Sequence, residues 1–163
     1  MIVVADTSPL NYLLQIGCES VLPSLYQRVL IPHAVLDELG HPDAPKVVSE
    51  WLKSVPGWVD VQRTAGPLDV ALADLDPGER EAIQLAEQLR ADLLLIDERR
   101  GRLEAKRRGL ATTGTLGVLL AAGKKGLIDA AAAYEQLATR TNFRSSPQIG
   151  KNFLQRVREL RSE

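Results

Sequence analysis

Leu93-Leu94-Leu95-Ile96-Asp97 is the stretch on which the fold turns. Four branched aliphatics in a row are too few for a buried helix. They do not alternate with polar residues, so they read as a strand buried on both faces. Ile2-Val3-Val4-Ala5-Asp6 repeats the pattern, an apolar run ending in an acid. Val29–Ile31, Val59–Val61 and Leu110–Thr113 are weaker runs of the same kind.

Helical patterns separate these runs. Pro9 follows Thr7 and Ser8, so a helix can begin there with a hydroxyl cap. Pro32 opens a helix that stops at Gly40, and another runs from Asp43 or Ala44 to Lys53. Asp76-Pro77-Gly78-Glu79 starts a strong helix that continues to Leu89. Helices follow over Glu98–Arg108, Thr115–Ala122, Asp129–Thr139 and Pro147–Leu160. Apolar strands alternating with helices predict an α/β three-layer fold, a parallel sheet with helices on both faces. In such sheets ligands bind at the carboxyl ends of the strands.

The composition narrows the chemistry. A length of 163 residues suits one domain. With 4% aromatic residues, the core must be aliphatic. The single cysteine, Cys18, allows no internal disulfide, which fits a reducing cytoplasm. Two histidines and one cysteine cannot complete a structural zinc site, so any metal must rest on carboxylates. Met1 leads straight into Ile2 without a basic segment, and no apolar run is long enough to cross a bilayer, so a cytoplasmic protein with no membrane partner is expected. Residues 1–98 carry 6 basic and 16 acidic side chains, and residues 99–163 carry 14 and 5. That asymmetry suits a protein that holds cations in one place and a polyanion in another, although surface charge also drifts along many sequences.

The carboxylates at the strand ends are the candidate site. Asp6 and Asp97 would share one edge of the sheet, either as ligands or as caps of the helices that follow. After the second strand, Ala34, Val35, Leu36 and Leu39 define an apolar face. Glu38 lies at its edge and Asp37 nearly opposite. Glu79 precedes Ala82 and Ile83 by three and four residues, so it lies on the buried stripe of its helix. Asp76 and Glu79 also have the spacing of a capping box, which is the structural alternative. Four converging carboxylates repel one another unless divalent cations relieve them. Hard oxygen ligands favour Mg²⁺ or Mn²⁺, one or two ions, in a site able to activate water against a phosphodiester.

These segments resemble the PIN-domain nucleases. Ile2 to Leu10 looks like the family's opening strand, with its leading aspartate, Asp6. Ile31 to Leu39 is similar to the second motif and puts a ligand at Glu38. Gly78 to Ala86 occupies the place of the third, where Glu79 stands for the commoner aspartate. Leu94 to Arg99 resembles the fourth, giving Asp97. The closest resemblance is to a subgroup known chiefly as predicted nucleic-acid-binding proteins. It extends over nearly the whole chain, through Gly114–Leu119, Gly126–Ile128 and Asn142–Arg144. The resemblance implies a sheet of order 3-2-1-4-5 in a single PIN-like domain over 1–163, with 129–163 as a helical extension packed on it. It also implies a Mg²⁺- or Mn²⁺-dependent ribonuclease with Asp6, Glu38, Glu79 and Asp97 as catalytic metal ligands. A VapC-type toxin with a protein antitoxin, and a homodimer, are common in the family.

Arg99 and Arg100 follow Asp97 with only Glu98 between and are the candidate RNA-binding residues. Ser8 and Thr115 are candidate supporting groups that also suit helix capping. Lys106, Arg107 and Arg108 read as surface. The rival to hydrolysis is a weak or inactive PIN module that binds RNA or a protein. A phosphatase using an aspartyl nucleophile is disfavoured because Ser8 stands where its second aspartate would be.

Overall fold

The computed structural model describes residues 1–161. Residues 162–163, the end of the expected helical extension, lie outside the described residues. The strands are β1 (Val3–Ala5), β2 (Val29–Pro32), β3 (Val59–Gln62), β4 (Leu93–Leu95) and β5 (Thr112–Thr113). The helices are α1 (Thr7–Gln15), α2 (Val21–Tyr26), α3 (His33–Leu39), α4 (Lys46–Leu52), α5 (Pro77–Leu89), α6 (Arg99–Arg107), α7 (Thr115–Lys124), α8 (Ala130–Arg140) and α9 (Pro147–Arg161). The sheet is wholly parallel and ordered β3-β2-β1-β4-β5.

The pleat sorts the strand residues into two cores. Val3, Ala5 and Leu95 point to the side covered by α1, α7, α8 and α9, where Leu10, Leu13, Val118, Leu119, Leu137 and Phe153 are buried. Val4, Leu94 and Ile96 point to the other side, against Ala82, Ile83, Leu85 and Ala86 of α5 and Ala105 of α6. Burial on both faces is what the unbroken Leu93–Ile96 run requires. Ile83 is fully buried, which stabilises the packing of α5 by roughly 1.5–3 kcal/mol.

Register places the acids. Ala5 pairs with Leu95, and the Asp6 N–H continues the ladder to the Leu95 carbonyl at 2.9 Å. Asp97 then lies one residue beyond the position opposite Asp6, on the adjacent strand.

Three local readings change. Helix α1 begins at Thr7, not Pro9, and Asp6 occupies its N-cap position without a side-chain capping bond. Helix α2 was not expected. Its six residues are too short for an apolar period to show, and Pro23 is tolerated because it falls in the first turn. Arg108 is not a surface residue. Its side chain is 9% exposed and bonds Asp69 at 2.7 Å, Glu104 at 2.9 Å and Glu87 at 3.1 Å. It ties the irregular segment before α5 to α5 and α6. Among the described residues, no helix is long and apolar enough to cross a membrane.

Candidate metal and nucleic-acid site

Asp6 ends β1 and is 2% exposed. Its Oδ1 is buried and has no hydrogen-bond partner among the described residues. Burial pushes its carboxyl well above the usual range. The nearby Thr7 N–H partly offsets this, and the charges of Asp76, Glu79 and Glu38 add to it. An orphaned buried carboxylate oxygen is costly. A cation among these groups would relieve both the missing partner and the repulsion.

Glu38 reaches inward from α3, while Asp37 is exposed. The Thr7 hydroxyl donates to Glu38 Oε1 at 2.6 Å and the Gly78 N–H donates to Oε2 at 2.7 Å. Glu38 is therefore aimed by the first residue of α1 and the first turn of α5. A Cβ on Gly78 would overlap the Glu38 carboxylate, so the approach depends on glycine.

Asp76 is the residue the sequence reading passed over. It caps α5, its Oδ1 accepting the Glu79 N–H at 2.8 Å. It also offers a carboxylate oxygen to a cluster with Asp6 and Glu38, whose ligand atoms lie within 4.8 Å of one another. Capping and clustering are compatible because a carboxylate has two oxygens. The sequence offered Asp76 only as the capping partner of Glu79, and its place beside Asp6 and Glu38 depends on how α5 meets α3.

Glu79 sits on the buried stripe of α5, 8% exposed. Burial, the charge of Asp76, a hydrogen bond with the Asp76 side chain and the charge of Glu98 push its carboxyl up to about 7. It stands beside the trio of Asp6, Glu38 and Asp76, not within it.

Asp97 faces the same cleft from β4. It does not cap α6, whose N-cap residue is Glu98. The backbone N–H and hydroxyl of Thr115, the first residue of α7, each donate to one of its oxygens at 2.7 Å. Burial raises its pKa, and the two Thr115 bonds and the Arg102 charge oppose that rise. Thr115 is fully buried, and a Cβ on Gly114 would come within 2.6 Å of Asp97 Oδ1.

A cleft of about 600 Å³ lies over Asp76, Glu79 and Asp97; Asp6 and Glu38 lie beside it, and Glu38 also borders a neighbouring hollow with Thr7 and His41. Ser8, Asp76, Glu79, Asp97 and Glu98 line its acidic side. Arg99 and Arg100 are exposed at the start of α6, and Arg100 pairs loosely with Asp74 at 3.8 Å. Arg102, one turn on, lines the cleft, and so does Arg144.

A family model for the PIN domain matches residues 2–159. The chain belongs to the PIN-domain family. Among curated proteins none matches it. PIN domains are generally nucleases, so the family points to a nucleic-acid substrate. The acidic cluster of this PIN domain is compatible with the divalent metals that such nucleases usually use.

Proposed function

We propose that this PIN domain is a Mg²⁺- or Mn²⁺-dependent endoribonuclease. The observation that carries the reading is the partnerless, buried Oδ1 of Asp6 beside Glu38 and Asp76. Asp6, Glu38 and Asp76 would hold the cation, with Glu79 and Asp97 completing the acidic site. When bound, the cation supplies a Lewis acid for the phosphodiester and lowers the pKa of water to a usable value. The chain's own part is preorganisation. Thr7 and Gly78 fix Glu38, Thr115 fixes Asp97, and Ser8 adds a hydroxyl at the cleft wall. Glu79 carries a proton toward neutral pH and shares a hydrogen bond with Asp76, so the pair presents less negative charge than two free carboxylates.

The test is cleavage of single-stranded RNA with Mg²⁺, with Mn²⁺ and with EDTA. Wild-type protein cuts with either ion and not with EDTA, and Asp6→Asn and Asp97→Asn lose the activity. Cleavage by both variants at the wild-type rate sinks the reading. A second reading, a PIN module that binds without hydrolysing, is favoured by the engagement of Glu79 with Asp76. Mn²⁺ binding without cleavage distinguishes it. The biological setting we infer is a homodimeric toxin with a protein antitoxin. A small reading frame overlapping this one, with a product that copurifies, supports that setting, and an isolated reading frame counts against it.

A further inference from the structure

The cleft carries two guanidinium groups that its acids do not consume. Arg102 comes from α6 and Arg144 from the connection between α8 and α9; both line the cleft and both are exposed. Among the described residues neither forms an ion pair, whereas Arg100 and Arg108 pair with nearby carboxylates. Arg144 Nη1 donates to the Phe143 carbonyl at 2.9 Å, which leaves its other N–H groups uncommitted. The wall that bears Arg144 is pinned to α1. Tyr12 donates to Asn142 Oδ1 at 2.9 Å, and its ring meets Phe143 edge-on at 5.2 Å. The backbone that carries Arg144 is therefore anchored to the helix that follows Asp6, while its side chain is exposed.

Arg102 acts on Asp97 through its charge alone, without an ion pair or hydrogen bond to it, so its N–H groups stay open to a ligand. Arg102 and Arg144 form no ion pair among the described residues and line one cleft with Tyr12 and Phe143, a combination that suits phosphates and a base together. The geometry points to a substrate clamp, in which Arg102 and Arg144 take the phosphates flanking the scissile one of a single-stranded RNA, and Phe143 gives the adjoining base a stacking wall. The clamp rests on reading the cleft as the nuclease site, but it makes a claim about binding, separable from cleavage.

The test is anisotropy of a labelled single-stranded oligoribonucleotide with Ca²⁺ as the cation, over a salt series, with the oligonucleotide verified intact afterwards. Wild-type protein is compared with Arg102→Gln/Arg144→Gln, Phe143→Leu and Arg99→Gln/Arg100→Gln. The clamp predicts a tenfold or greater loss of affinity for Arg102→Gln/Arg144→Gln. The slope of log Kd against log salt should fall by about 0.7 per arginine. Phe143→Leu loses several-fold with the slope unchanged, and Mn²⁺ affinity is not weakened in either. Unchanged affinity and slope in Arg102→Gln/Arg144→Gln overturn the clamp, as does a greater loss in Arg99→Gln/Arg100→Gln. No affinity of the wild-type chain for the oligonucleotide also overturns it. Wild-type binding that needs both arginines, without cleavage in Mg²⁺ or Mn²⁺, upholds the clamp and removes the hydrolytic reading alone.

Discussion

Gly78 approaches Glu38 so closely that its N–H bonds Oε2 at 2.7 Å and no side chain fits between them. A glycine inside the first turn of a helix ordinarily costs about 0.5–1 kcal/mol against alanine. Here the missing Cβ is what admits the carboxylate. Gly78→Ala should therefore lower Mn²⁺ affinity by roughly 10-fold or more, the effect of displacing a group that orients a ligand. Melting temperature should move little, because the helical gain offsets part of the crowding. Isothermal titration with Mn²⁺ measures it, and wild-type affinity in the variant removes Glu38 from the ligand set.

The Thr115 hydroxyl holds Asp97 Oδ2 in a buried, charge-assisted bond. Thr115→Val keeps the shape and the backbone N–H but removes that donor. A bond to a charged group contributes about 1.5–3 kcal/mol. The variant should melt several degrees lower and cleave RNA at least tenfold more slowly, and Thr115→Ser should recover most of both. If Thr115→Val and Thr115→Ser fall equally, the methyl group matters and the hydroxyl does not.

The layers were legible because Ile2–Ala5 and Leu93–Ile96 are apolar without alternation, as a sheet covered on both faces requires, whereas the strand order came only from the resemblance to PIN domains, since apolar runs do not fix which strands pair. The inward turn of Glu38 was legible from helix geometry alone. Asp76 was not, because one residue does two things. Its capping bond to Glu79 explains it fully, and the cluster with Asp6 and Glu38 depends on how α5 meets α3. Arg108 was missed for a similar reason. Its partners Asp69 and Glu87 are 39 and 21 residues away, and only the fold brings them to it.

Glu79 sets a pH dependence of stability in the absence of metal. Its carboxyl is raised from 4.5 to about 7, so the folded state holds the proton more tightly than the unfolded chain. For an acid shifted upward, the ionisation penalty is absent below about 4.5 and fully present above about 7. The stability of the wild-type protein should thus fall as pH rises through that window, by on the order of 1 kcal/mol from this group after solvent screening. Glu79→Gln lacks the penalty. In EDTA its melting temperature should exceed wild type at pH 8 and match it near pH 4. A difference that stays constant with pH means Glu79 does not titrate in this range.

Arg108 sets the opposite dependence, on the far side of α5. Its guanidinium bonds Glu104 and Asp69, and bonds from Arg107 and Arg108 hold the Glu104 carboxyl down at about 2. Arg108→Met keeps much of the apolar stem but leaves Asp69, Glu87 and Glu104 facing one another without their shared cation. Breaking a buried pair from one side costs about 3–5 kcal/mol. The carboxylates here are partly exposed, so the loss falls well short of that for a buried pair, and the melting temperature should drop by a few degrees at neutral pH. The sign with pH follows from Glu104. An acid shifted downward contributes stability above its unfolded value of 4.5 and loses it as pH falls toward 2. The gap between wild type and Arg108→Met should narrow over that interval, because protonation of Asp69 and Glu104 weakens in the wild type the Arg108 bonds that the variant lacks, while the Arg107 bonds to Glu104 are common to both. Thermal melts at pH 7, 4 and 2.5 measure it. A gap that stays constant over these pH values would mean that the stem of Arg108 stabilises the fold through packing, with its charge contributing nothing.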